Sequence, residues 1–104
     1  MEYGEQANGR EVDTKVNDNF EIVLPEVRTA GYRWNIEQNG EPAVQLLEDT
    51  TQPDAARPGS AGRHRWTFRA ASAGDSEIKL QYSRSWESPV KPTRTFTLKV
   101  RVQS

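Results

Sequence analysis

Residues Phe20–Ile36 read FEIVLPEVRTAGYRWNI, and their two-residue rhythm decides the fold. Phe20, Ile22 and Leu24 recur at every second position, so they share one face of an extended strand. The run is expected to stop at Pro25, which has no N–H to give to a sheet ladder. A second alternating run opens at Tyr32 and continues through Trp34 and Ile36. Between them lie Val27–Gly31, which suit neither strand, and Gly31 is free to take a positive φ. The expected picture is a loop thrown out at one end of a sheet, with Thr29 at its tip. Two later stretches, Arg57–Gly62 (RPGSAG) and Arg84–Glu87 (RSWE), read as further loops on the same end. Together the three loops are expected to form one binding edge.

The rest of the chain repeats the pattern. Glu11–Val16 reads as a first, edge strand, and Asn17-Asp18-Asn19 as a turn. Asn39-Gly40 is a strong turn signal, followed by a short strand over Ala43–Leu47 with Val44 and Leu46 on one face. Glu48–Gly62 is polar and rich in Pro, Gly, Asp and Ala, and reads as a long loop. His64, Trp66, Phe68 and Ala70 alternate against Arg63, Arg65, Thr67 and Arg69. After a turn at Ala73-Gly74-Asp75, Ile78, Leu80 and Tyr82 alternate against Lys79, Gln81 and Ser83. Ser85–Pro92 breaks the pattern with two prolines. The last strand turns Phe96, Leu98, Val100 and Val102 inward. No helical period competes. The fold expected is all-β: an immunoglobulin-like antiparallel β-sandwich of six to eight short strands. One domain over residues 11–104, behind a flexible segment at 1–10, fits the length of 104 residues.

Composition narrows the function. The net charge is −1 with both signs interspersed, which argues against a nucleic-acid partner. The chain has no cysteine, so disulfides, thiolate nucleophiles and cysteine-held zinc are excluded. No stretch approaches the roughly 18 apolar residues of a membrane span. The polar opening MEYGEQANGR has no apolar signal-peptide core, so either the protein is not exported or a signal has been removed. His64 is the only histidine. It falls on the apolar side of its strand, which favours a partly buried structural role, and no further ligands stand at metal spacing around it. Ser60, His64 and Asp54 could be strung into a triad, but nothing marks a nucleophile elbow. Glu48, Asp49 and Asp54 read as a solvated loop face, and Arg63, Arg65 and Arg69 as an outward row serving solubility and edge protection. Tyr32, Trp34, Trp66, Phe68 and Tyr82 read as core. No cofactor and no metal is expected.

At this point the residues resemble the chagasin-like inhibitors of papain-family cysteine peptidases. That family carries three loop motifs on an immunoglobulin-like sandwich. Its Asn-Pro-Thr-Thr-Gly, followed by Tyr-x-Trp, is matched by Val27-Arg28-Thr29-Ala30-Gly31 followed by Tyr32-Arg33-Trp34. Its Gly-x-Gly-Gly ahead of an aromatic strand is matched by Gly59-Ser60-Ala61-Gly62, and its Arg-Pro-Trp by Arg84-Ser85-Trp86. Order, spacing and strand context agree from about Val12 to Val102. Thr29 and Gly31 keep the first motif, while Val27, Arg28, Ala30, Ala61 and Ser85 depart from the family pattern.

The resemblance implies a reversible, non-covalent, non-enzymatic inhibitor that acts as a monomer on a papain-like cysteine peptidase. Thr29 would enter the cleft nearest the catalytic pair, and a hydroxyl there can both donate and accept. Gly59–Gly62 would allow close backbone approach, while Arg84 and Trp86 are residue types that anchor interfaces. Arg28 in place of proline removes a stiffening element and adds a charge, which predicts weaker or retargeted inhibition. The second reading is an adhesion or ligand-binding module of the same fold that has lost its inhibitory loops. The family also favours a periplasmic or extracellular setting, with a cytoplasmic or lysosomal one as the alternative.

Overall fold

The computed structural model describes residues 1–26, 32–52, 62–84 and 94–104. Its strands are β1 (Glu2–Tyr3), β2 (Arg10–Lys15), β3 (Asn19–Glu26), β4 (Tyr32–Asn39), β5 (Val44–Gln52), β6 (Gly62–Ala70), β7 (Gly74–Arg84) and β8 (Arg94–Gln103), with a 3-10 turn at Glu5–Ala7. They form two four-stranded sheets, in the orders β1-β3-β6-β5 and β2-β8-β7-β4. The sandwich expected from the sequence is therefore present, with two parallel pairings added. β1 runs parallel to β3 and β2 parallel to β8, because the N-terminal chain enters along one sheet and returns along the other. The four remaining pairings are antiparallel. Residues 1–10, expected as a flexible segment, here carry β1, the 3-10 turn and a buried Ala7.

Alternation explains the core. Phe96, Leu98, Val100 and Val102 of β8 are buried, as are Ile78, Leu80 and Tyr82 of β7, facing Phe20, Ile22 and Leu24 of β3 and Trp66, Phe68 and Ala70 of β6. Phe20 stacks on Phe68 at 5.3 Å between ring centroids. Trp34 meets Trp66 edge-on at 6.4 Å, which joins the two sheets, and lies 5.0 Å from Tyr82 within its own sheet. The side chain of Tyr32, also expected in the core, lies outside the described residues.

Three expectations are corrected. β3 runs through Pro25 to Glu26 instead of stopping. The Pro25 carbonyl accepts from the Trp34 indole Nε1 at 2.9 Å. The missing N–H would point the same way, off the β6 ladder, and β1 has already ended opposite Ile22, so the proline breaks no pairing. β5 continues to Gln52, where a loop from Glu48 was expected, because it stays paired with β6 beyond a bulge between Leu46 and Glu48. Finally, β6 lies between β3 and β5, so its arginine row cannot protect an edge. Arg65 instead meets Glu21 at 2.9 Å, and Arg69 donates to Asn17 at 2.6 Å.

Two tests follow from these contacts. Gly40 sits at φ +86°, and a Cβ there would lie 2.8 Å from Ser76 Oγ and 3.3 Å from Val44 Cβ. Gly40→Ala is expected to cost about 1–3 kcal/mol, read as a lower urea midpoint at unchanged slope. The Arg65 hydrogen bond holds the Glu21 carboxyl below the usual carboxylate range. A depressed folded value gives stability that is complete above the unfolded value and lost as pH falls through the folded one. Glu21→Gln should therefore flatten the acid limb of the stability profile. Because the pair is partly exposed, the loss at neutral pH should stay within about 1 kcal/mol.

Candidate functional site

The strand register brings six strand ends to one end of the sandwich. In the first sheet Glu26 lies opposite Gly62, and Arg63 opposite Gln52. In the second, Tyr32 lies opposite Arg84, and Tyr82 opposite Arg94. The chain segments 27–31, 53–61 and 85–93 leave from and return to these ends. The strand ends that flank the three segments thus share one end of the sandwich through pairing alone. Of the residues expected to bind, Val27, Arg28, Thr29, Ala30, Gly31, Gly59, Ser60, Ala61, Ser85 and Trp86 lie outside the described residues. Gly62 is described as the first residue of β6, and Arg84 as the last of β7 by its backbone only.

Directly beneath these strand ends is a buried polar cluster. Glu26 continues the inward alternation of Phe20, Ile22 and Leu24 and is 3% exposed. Its Oε2 accepts the backbone N–H of Trp34 at 2.9 Å and lies 2.8 Å from His64 Nδ1. His64, 6% exposed, stacks on Trp66 with ring centroids 4.0 Å apart. Its other ring nitrogen, Nε2, contacts Asp49 Oδ1. One cluster therefore ties β3 to β4 across the sandwich, and β3, β6 and β5 within one sheet. Glu26 and Trp34 flank the first loop, so this contact holds the loop's two roots at a fixed separation. Ordering a loop costs less on binding when its ends are already held.

The structural role expected for His64 holds. Asp49 is exposed as expected, but it lies on β5 and not on a loop, and it contacts His64. Val44 and Leu46 set a phase that would turn Glu48 inward. The bulge adds one residue, so Asp49 pairs with Trp66 on the inner face and Glu48 with Thr67 on the outer one. Ending the strand at Pro25 gives Glu26 no place in the sheet. Had the period-two run been continued, it would have marked Glu26 as inward.

The cluster is not catalytic machinery. A general base needs a ring nitrogen free to take a proton from a nucleophile. Both nitrogens of His64 are occupied by carboxylates. Ser60 and Asp54 themselves lie outside the described residues. Among the described residues no group of three or more side chains could hold a metal ion, and no helix is long and apolar enough to cross a membrane.

Residues 13–100 match a family model described as Chagasin family peptidase inhibitor I42. Amoebiasin-1 of Entamoeba histolytica is 30% identical over 105 residues, covering 99% of this chain and 100% of that protein. Amoebiasin-2 of the same organism is 31% identical over 90 residues, covering 84% of this chain and 72% of that protein. Among solved structures, the cysteine protease inhibitor EhICP2 from Entamoeba histolytica superposes with a TM-score of 0.85 at 26% identity, covering 99% of this chain and 94% of that chain. PbICP-C, solved in complex with falcipain-2, gives a TM-score of 0.71 at 17% identity, covering 99% and 90%, which speaks for the fold alone.

Removing His64 would leave a buried carboxylate without its ring partner, so His64→Ala is expected to cost about 3–5 kcal/mol. Asp49 has a side chain 46% exposed, so Asp49→Ala should cost about 1 kcal/mol or less. Chemical denaturation of the two variants side by side checks this order.

Proposed function

The chain belongs to the chagasin family of peptidase inhibitors, and we propose that it inhibits papain-like cysteine peptidases by seating its three loops in the active-site cleft. It is an inhibitor and not an enzyme. The reading is supported most by the register that gathers the ends of segments 27–31, 53–61 and 85–93 on one end of a rigid sandwich. Loops on such a frame can fill a groove without presenting a peptide bond in the geometry of attack. Family membership favours this over an adhesion module of the same fold.

The residues given roles are those of the three motifs. Thr29 stands nearest the catalytic pair, Gly59–Gly62 brings backbone against backbone, and Trp86 lies on an aromatic of the cleft wall with Arg84 bracing its own loop or the rim. Val27, Arg28, Ala30, Ala61 and Ser85 tune which peptidase is held and how tightly. The protein acts as a monomer and reversibly, with no covalent step.

Titration of papain and cathepsin L with the protein against a small fluorogenic substrate tests the reading. The expected result is competitive, stoichiometric loss of activity with the protein recovered uncleaved. Trp86→Ala should weaken inhibition at least tenfold, since interface tryptophans are commonly worth about 2 kcal/mol or more. Thr29→Ala should weaken it less, and both variants should keep the parent's thermal midpoint. Inhibition by the parent with neither variant affected would move the site off these loops.

A further inference from the structure

The segment joining β1 to β2 lies at the same end as the three loops. Tyr3 is opposite Ile22 on a strand that climbs to Glu26, and Arg10 is opposite Leu98 on a strand that starts at Arg94. The chain from Gly4 to Gly9 therefore crosses between the sheets level with their last rows before the loops. It stands between two shallow clefts. One is lined by Glu5 and Gln6 with Pro25, Gly62 and Arg63, and the other by Glu5 and Asn8 with Trp34, Arg94 and Thr95.

This strap is firmly held. Ala7 is 5% exposed and packs into the core. Its N–H donates to the Gly4 carbonyl at 3.0 Å, and that of Asn8 to the Glu5 carbonyl at 3.1 Å. Gly9 N–H donates to the Thr97 carbonyl at 2.7 Å, and Thr97 N–H to Asn8 Oδ1 at 2.9 Å. Arg94, where the third loop returns, pairs with Glu5 at 3.2 Å. Between these anchors the side chains of Glu5 and Gln6 are exposed. Fixed backbone beneath exposed polar side chains suits the rim of an interface, where contacts steer association and little order remains to be gained.

We propose that the Gly4–Gly9 strap is a fourth contact with the peptidase, with Glu5 and Gln6 meeting the polar rim of the cleft beside the third loop. The proposal rests on the inhibitory reading above. It differs from a role in positioning the third loop, because the ion pair to Arg94 is made by Glu5 and not by Gln6.

The test compares Gln6→Ala, Gln6→Trp and Glu5→Ala with the parent in papain and cathepsin L inhibition kinetics at low and high salt, alongside thermal midpoints. Glu11→Ala, on β2 and facing away to Arg101, serves as a control of equal charge change. The expected result is a change of roughly 3–10-fold in the inhibition constant for Gln6→Trp. Glu5→Ala should slow association by a similar factor, with the effect shrinking at high salt. Glu11→Ala should match the parent. Inhibition by both Gln6 variants with the parent's rates and constants overturns the proposal while leaving the three-loop reading standing. Effects at Glu5 without any at Gln6 also overturn it, since they point to the Arg94 pair alone. A parent that inhibits neither peptidase overturns the inhibitory reading and this one with it.

Discussion

The contact on which the binding end depends is the Glu26 carboxylate, buried between the Trp34 backbone N–H and the ring of His64. A charge taken out of water is tolerable only when its lone pairs are met by well-placed donors. Meeting them here requires β4 to sit across from β3, and β6 to lie alongside it in one register. Burial thus turns a single side chain into a constraint on three strands. Hydrophobic packing of Trp34, Trp66 and Tyr82 below it pulls the sheets together without choosing a register so sharply. The polar cluster supplies that choice at the end where positional accuracy matters most.

The N-terminal strand pair complements this. The chain begins along β3, crosses at the loop end and returns along β8, so it adds one strand to each sheet on the same side of the sandwich. That arrangement covers part of two edges that would otherwise offer unpaired backbone groups. It also ties the start of β8, where the third loop returns, to the strap through Thr97 and Arg94. The polar cluster therefore ties the strands that flank the first loop from within the sandwich, and the strap ties the start of β8 from outside. A rigid scaffold carrying variable loops separates the sequence requirements of folding from those of recognition. This is how the first and third motifs can depart from the family pattern at Val27, Arg28, Ala30 and Ser85 while the sandwich stays intact.

Much was legible in the sequence because β-structure writes its burial into alternate residues. Phe96 to Val102, Ile78 to Tyr82 and His64 to Ala70 fall inward as their period requires, and the turns at Asn17, Gly40 and Gly74 take the positive φ that their residue types allow. The strand ends that flank the three loops share one end through pairing: β5 with β6 and β7 with β8 are antiparallel neighbours, while β3 and β4 lie in different sheets and come to that end through β6 and β7. Three short motifs in order then indicated the family.

What the sequence could not fix were features decided by partners distant along the chain. Pro25 reads locally as a strand breaker, and β3 passes through it only because the β1 pairing has ended at Ile22, leaving no ladder for the missing N–H to break. Asp49 reads as loop surface; it stays exposed, and only pairing with β6 beyond a bulge brings it to His64. The parallel pairings of β1 and β2 depend on where Ala7 finds a place in the core, which no local period announces. Alternation is a property of one strand and is carried by its own residues. Register, bulges and buried ion contacts belong to pairs of strands, and the tertiary structure alone decides them.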